Sequence, residues 1–153
     1  RYMSLMRAAH ATDRLLALEP TPGAVATLAR WTADGHGVEI VTGRPYATHD
    51  ASQRWLRRQG LEHITLIHVD KYKRELAPEA DDWSRALTRE EFATRRYDLA
   101  VEDAPVALEQ LAAMPPCKVA IFDRPWNRAT PLLTEHFTRC HGWEAVSRLA
   151  ASL

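Results

Sequence analysis

The sequence predicts an α/β protein with a doubly wound, mainly parallel sheet. Short apolar runs that end in polar residues alternate with stretches of apolar side chains at helical spacing, and this alternation is typical of β-α-β units. A chain of 153 residues is long enough to bury a core and fits one domain. We therefore expect a three-layer sandwich with helices on both faces of the sheet.

The first half of the chain predicts three helices and two strands. Thr21 is a candidate N-cap with Pro22 at the first helical position. Gly35 and Gly37 bracket the end of the second helix, and Gly60 ends the third. The predicted helices cover 1–18, 23–34 and 49–59, and the predicted strands cover 38–41 and 64–69.

The second half repeats this alternation. An acidic, irregular stretch at 76–84 predicts an exposed excursion. Thr88 is then a candidate N-cap with Glu91 three residues later, which is the pattern of a capping box. The remaining predicted strands cover 97–101 and 118–122, with a helix over 105–113 between them and one or two helical segments over 131–153.

Composition excludes several classes of protein. The 20 basic and 20 acidic residues balance, whereas a dedicated nucleic-acid binder usually has a basic excess. The apolar runs are too short to span a bilayer, so we expect no membrane partner. Cys117 and Cys140 have no metal-binding or redox spacing, which indicates free thiols in a reducing compartment and predicts a cytoplasmic protein.

Polar residues follow three of the predicted strands, at the edge of a parallel sheet where ligands bind. A hydroxyl with nearby backbone N–H groups can hold phosphate oxygens, and a lysine neutralises the same oxygens. Paired carboxylates hold Mg²⁺ together with water and substrate phosphate, which completes the electrostatic parts of a phosphoryl-transfer site. The residues are Thr42, Gly43 and Arg44 after the first strand, Lys71 or Lys73 after the second, and Glu102 and Asp103 after the third.

Each assignment has a structural alternative. Glu102 and Asp103 could form a solvated turn in which Asp103 caps the next helix, although their place in the series favours a metal site. Arg44 either contacts phosphate or pairs with surface acids. Lys71 and Lys73 compete for one role.

The order and local sequence of these motifs resemble the haloacid dehalogenase superfamily of phosphohydrolases. The second motif of that family, often Thr-Gly-Arg-Pro at a strand end, is similar to 42–45, and its fourth, a strand ending in paired acids, is similar to 99–103. The resemblance implies a Rossmann-like core and Mg²⁺-dependent hydrolysis of a phosphomonoester through an aspartyl-phosphate. The roles it implies are catalytic for Thr42 and for Lys71 or Lys73, substrate binding for Gly43 and Arg44, and Mg²⁺ binding for Asp103 and Glu102.

Within the superfamily, the sequence looks most like the cytosolic 5′(3′)-deoxyribonucleotidase-type branch. The similarity lies in the helix after the paired acids, in Ile-Phe-Asp-Arg-Pro-Trp-Asn at 121–127, and in Gly-Trp-Glu at 142–144. This branch implies a nucleoside monophosphate as substrate, with Trp126 and Asn127 stacking on and hydrogen-bonding its base. The alternative for Trp126 is loop packing. The oligomeric state stays open between a monomer and a homodimer.

The first motif of the family, Asp-x-Asp at the end of a strand, does not occur before Thr42. Its first aspartate is the nucleophile in the family, so we expect no turnover from these residues alone. The motif could lie in a segment upstream of Arg1, come from another chain, or be absent from a non-catalytic relative. We expect the first of these, because the missing strand is central in the family's sheet and unpaired interior strand edges are costly.

This interpretation makes 1–18 a remnant of a helical cap and 19–153 the core domain. The alternative from another class is a catalytically inactive binding or scaffold protein of the same fold. A flavodoxin-like or receiver-type domain is a weaker option, because such domains carry their acidic cluster on the first strand and their threonine and lysine later.

Overall fold

The computed structural model describes residues 8–69 and 86–153. The chain divides into two units, Arg1–Thr88 and Arg89–Leu153. Each unit contains a three-stranded parallel sheet and several helices. The predicted α/β class with parallel strand pairing is therefore confirmed. The described strands form two sheets, whereas the sequence predicts one.

The elements of the first unit are α1 (Thr12–Leu16), α2 (Ala24–Ala33), β1 (Glu39–Thr42), a 3₁₀ turn (Tyr46–Thr48), α3 (His49–Arg58), β2 (Thr65–Val69) and β3 (Ala86–Leu87). Its sheet has the order β1-β2-β3. In the register of this sheet, Thr42 at the end of β1 lies opposite His68 on β2.

The core of this unit gathers apolar side chains from α3, β2 and the loop between them. Burying such side chains is the main term that stabilises the unit. Trp55 of α3 is half-buried there, as its helical spacing predicts. The buried members are Leu56, Leu61, Ile64 and Leu66, with Val25, Leu28, Val38, Ile40 and Trp55 packed against them.

Two glycines end the helices of this unit as predicted. Gly35 has φ 87° and Gly60 has φ 72°, a left-handed conformation that is costly for residues with a Cβ. The residue after each glycine donates a backbone hydrogen bond to a carbonyl five residues earlier. His36 donates to Trp31 and Leu61 donates to Leu56, both at 2.9 Å. This is the Schellman arrangement that closes a helix.

The start of α2 differs from the prediction. The helix begins at Ala24, with Gly23 at the N-cap, rather than after Thr21. Gly23 has φ 84°, and the N–H of Ala24 donates to the carbonyl of Thr21 at 2.9 Å. The chain therefore makes a turn through Pro22 and Gly23 before the helix starts.

The described part of the predicted cap segment packs on α3. Leu15 of α1 is buried, and the indole N–H of Trp55 donates to the carbonyl of Leu18 at 2.6 Å. Arg58 donates to the carbonyl of Leu16 at 3.2 Å. Residues 1–7 lie outside the described ranges, and the cap role of 1–18 stays a prediction.

The elements of the second unit are α4 (Arg89–Ala93), β4 (Leu99–Glu102), α5 (Pro105–Ala112), β5 (Lys118–Phe122), a 3₁₀ turn (Pro125–Asn127), β6 (Phe137–Cys140) and α6 (Trp143–Ala150). Its sheet has the order β4-β5-β6. The central strand, β5, is buried at every residue from Val119 to Phe122. Both cysteines of this unit are free thiols, as predicted.

Two strands were missed by the sequence analysis. β3 has two residues, which is too short for an alternating pattern. β6, with the sequence Phe-Thr-Arg-Cys, was predicted as part of a helical region. It buries Phe137 and Cys140, but Arg139 between them interrupts the apolar run. Among the helices in the described ranges, none is long and apolar enough to cross a membrane.

Candidate functional site

Thr42, Gly43 and Arg44 form a turn at the carboxyl end of β1. The hydroxyl oxygen of Thr42 accepts a hydrogen bond from the backbone N–H of Arg44 at 3.2 Å. All three residues are half-buried. The turn therefore combines a hydroxyl and a basic side chain at a strand end, which are two of the predicted phosphate-binding groups.

The guanidinium of Arg44 has a polar neighbour but no acidic one in the described ranges. Its Nη1 donates to the hydroxyl of Ser52, a buried residue of α3, at 3.4 Å. Burial lowers the pKa of Arg44, which reflects the cost of keeping a charge out of water. The alternative for Arg44 requires an ion pair with a surface acid. Among the residues that the structure describes, no acidic side chain pairs with Arg44.

A pair of histidines lies beside this turn and was missed by the sequence analysis. His68 is 1% exposed, and its Nδ1 lies 3.1 Å from the carbonyl oxygen of Arg44. Its Nε2 lies 3.2 Å from the Nδ1 of His49, the first residue of α3. The available signal was a histidine inside an otherwise apolar stretch of strand, at 66–69.

The two lysines predicted to offset phosphate charge, Lys71 and Lys73, lie outside the described residues. Their assignment stays a prediction.

In the second unit, the two predicted metal-binding carboxylates have different surroundings. Glu102 is the last residue of β4, and its Oε1 accepts hydrogen bonds from the N–H groups of Asp103 at 2.9 Å and Ala104 at 3.0 Å. The N-cap of α5 is Ala104, without a side-chain capping bond. The alternative in which Asp103 caps this helix is therefore wrong, since Glu102 holds the loop amides instead.

The carbonyl oxygen of Asp103 is held by the loop after β5. It accepts hydrogen bonds from the indole N–H of Trp126 at 3.2 Å and from the amide of Asn127 at 2.9 Å. Trp126 is 62% exposed, whereas Asn127 is fully buried. The loop thus fixes the backbone of the residue predicted to bind metal.

Asn127 has all of its hydrogen-bonding groups occupied inside the protein. Besides Asp103, its amide donates to the carbonyl of Phe122 at 2.9 Å. Its side-chain oxygen accepts from the backbone N–H of Arg124 and from Arg139, both at 3.1 Å. This geometry favours a positioning role for Asn127 over the predicted contact with a substrate base. Base stacking on the exposed Trp126 stays a prediction.

The carboxylate of Asp123 neutralises the basic side chains around this loop. Its carboxylate lies 3.3 Å from Arg139, 3.5 Å from Arg128 and 3.6 Å from His141. Burial alone would raise the pKa of Asp123, but the neighbouring charges of Arg128 and His141 and hydrogen bonds from Arg128 and Arg139 lower it below its ordinary value of 3.8. Asp123 is therefore a structural counterion.

The donor set at the end of β4 meets the minimum for Mg²⁺. This ion binds one or two carboxylates and completes its shell with water and phosphate. Asp103 and Glu102 carry the two carboxylates, and one oxygen of Glu102 accepts hydrogen bonds from backbone amides. Within 8–69 and 86–153, no group of three or more metal-binding side chains occurs, so a protein-only cage is not found there.

Comparison with known proteins does not identify the chain. The sequence matches no protein-family model, and no curated protein is significantly similar to it.

We predict that Asn127→Ala destabilises the second unit by roughly 3 kcal/mol, because it leaves several buried polar groups without partners. The backbone N–H signals of Asp103 and Ala104 should shift in the same variant. Urea unfolding and ¹H–¹⁵N spectra measure both effects. Gln53→Ala, which also removes a side-chain amide, should change stability by less than about 0.5 kcal/mol. Equal stability of Asn127→Ala and the wild type would contradict the prediction.

We predict that Asp123→Asn lowers stability near pH 7 and that this difference disappears in acid. A carboxylate whose pKa is depressed by folding stabilises the protein above its unfolded-state value of 3.8, and the stabilisation is lost as the pH falls through the lower folded-state pKa. Urea unfolding of both proteins across this range measures the difference. Glu144→Gln is the control, because the ion pair of Glu144 with Arg148 is exposed and contributes little. A pH-independent difference for Asp123→Asn would contradict the assignment.

Proposed function

We propose that this chain is the core of a Mg²⁺-dependent phosphomonoester hydrolase with a doubly wound fold like that of the haloacid dehalogenase superfamily. The observation that carries the proposal is the half-buried guanidinium of Arg44, which has no acidic partner in the described ranges. It belongs to a turn in which the Thr42 hydroxyl accepts a hydrogen bond from the backbone N–H of Arg44. A desolvated cation is stabilised by an anionic ligand. A phosphate group meets both the charge and the hydrogen bonds of this turn.

The roles follow from the chemistry of each group. The Thr42 hydroxyl and the Gly43 amide would hold phosphoryl oxygens, and Arg44 would neutralise them in a bidentate contact. In the described ranges, no acceptor contacts the hydroxyl hydrogen of Thr42, so it can donate to a ligand. Lys71 or Lys73 would offset the charge that develops in the transition state.

Asp103, assisted by Glu102, would hold Mg²⁺ in the second unit. When bound, the ion supplies charge neutralisation for the phosphoryl oxygens. The chain's own contribution is to fix Asp103, through the hydrogen bonds that Trp126 and Asn127 donate to its carbonyl.

The nucleophile would come from outside these 153 residues. An aspartate of an Asp-x-Asp strand would attack phosphorus, the bond to the leaving alcohol oxygen would break, and water would then hydrolyse the aspartyl-phosphate. Among the described strands of its sheet, β1 is an outer one, and a further strand added along it would bring such an aspartate beside Thr42. A nucleoside monophosphate is the substrate we favour, with Trp126 as the base-stacking residue.

A second candidate is a binding protein of the same fold that keeps the anion site and lacks chemistry. The observation that favours it is the absence of an Asp-x-Asp strand before Thr42 in this sequence. The gene sequence upstream of Arg1 separates the two candidates. A strand that ends in Asp-x-Asp selects the hydrolase, and its absence selects the binding protein.

We predict that inorganic phosphate binds at the turn after β1 and that Arg44→Gln weakens this binding at least tenfold. The reason is the loss of a charge-assisted contact of about 1.5–3 kcal/mol. Titration followed by the amide signals of Thr42, Gly43 and Arg44 measures the affinity. Arg54→Gln, at an exposed position of α3, removes the same charge and should bind like the wild type. Equal weakening in both variants would show non-specific attraction and contradict the site.

A further inference from the structure

The histidine pair beside the turn has a defined arrangement of protons. A backbone carbonyl only accepts hydrogen bonds, so the Nδ1 of His68, 3.1 Å from the carbonyl oxygen of Arg44, carries a hydrogen. In the neutral ring, the Nε2 then holds a lone pair and accepts from the Nδ1–H of His49 at 3.2 Å. Both ring nitrogens of the buried His68 are thereby satisfied, and its tautomer is fixed by its partners.

The surroundings favour the neutral form of this ring. Burial lowers the pKa of His68, the hydrogen bond to the Arg44 backbone opposes this, and charge on His49 or Arg44 lowers it further. Tyr46 contacts both histidines, stacked on His49 with ring centroids 5.5 Å apart and edge-on to His68 at 5.2 Å. His49 is thus held where its Nδ1 reaches His68.

We propose that His68 is a positioning residue for the phosphate-binding turn, acting through the carbonyl of Arg44 while His49 fixes its tautomer. The inference rests on the proposed function. Both backbone polar groups of Arg44 are engaged, its N–H by the Thr42 hydroxyl and its carbonyl by His68. The turn is therefore tied to β2 as well as to β1, and the Arg44 side chain contacts Ser52 of α3.

This arrangement differs from ordinary core packing in what the side chain must supply. A core residue at position 68 needs volume and apolar contact, whereas the positioning role needs a hydrogen-bond donor at the place of Nδ1. The amide nitrogen of asparagine lies near that place and can donate to the Arg44 carbonyl. Leucine fills similar volume and cannot donate.

The test compares His68→Asn with His68→Leu. In His68→Asn, the Gly43 and Arg44 amide signals should stay close to their wild-type positions, and the affinity for inorganic phosphate should stay within about threefold. In His68→Leu, the same signals should move and the affinity should fall at least tenfold, as expected for loss of an oriented charged contact. Equal behaviour of the two variants would overturn the proposal.

If a variant fails to fold, a measurement on the wild-type protein tests the proposed role of His68. The ring ¹⁵N shifts of His68 should show a protonated Nδ1 and an unprotonated Nε2 near neutral pH, and the opposite tautomer would overturn the inference. Failure of the wild type to bind phosphate would contradict the proposed function alone. The variants' amide signals and the tautomer would then still decide whether His68 holds the turn.

Discussion

Two buried polar side chains, His68 and Asn127, hold the loops that follow β1 and β4. An unsatisfied buried donor or acceptor costs about 1–3 kcal/mol, so each of these side chains must find partners, and each finds a backbone carbonyl of the loop. His68 donates to the carbonyl of Arg44, and Asn127 donates to the carbonyl of Asp103. In both units, the residue proposed to contact a ligand is therefore fixed through its backbone.

The two units balance their basic groups in different ways. In the second unit, Arg139 and Arg128 surround Asp123, which remains ionised and neutralises them. In the first unit, the half-buried Arg44 has no such carboxylate in the described ranges. Since burying an uncompensated charge is costly, this difference separates an arginine that serves structure from one that is suited to an anionic ligand.

The sequence predicted the regular parts of this fold well, because they depend on local patterns. The runs at 64–69 and 118–122 and the glycines after α2 and α3 lie where their apolar content and turn chemistry place them. β6 was missed because Arg139 interrupts its short apolar run. Its guanidinium is satisfied by Asn127 and Asp123, which are partners that no local pattern shows.

The sequence predicts which residue types form the candidate site. It does not predict the contacts that support them. The position of Thr42 and Arg44 after a strand predicts a shared role, and the structure brings them together in one turn. The local pattern predicts only a strand at His68, because the contact of its ring with the turn depends on the parallel register that sets it opposite Thr42. The buried position of Asn127 likewise depends on tertiary contacts.

The central claim is that the turn that carries Thr42 and Arg44 binds phosphate through the half-buried guanidinium of Arg44. The most direct measurement is urea unfolding of the wild type and of Arg44→Gln, each with and without inorganic phosphate. The account predicts that phosphate raises the free energy of unfolding of the wild type, because the ligand binds only the folded protein, and that Arg44→Gln removes most of this gain. No stabilisation of the wild type by phosphate, or an equal gain in Arg44→Gln, would contradict it.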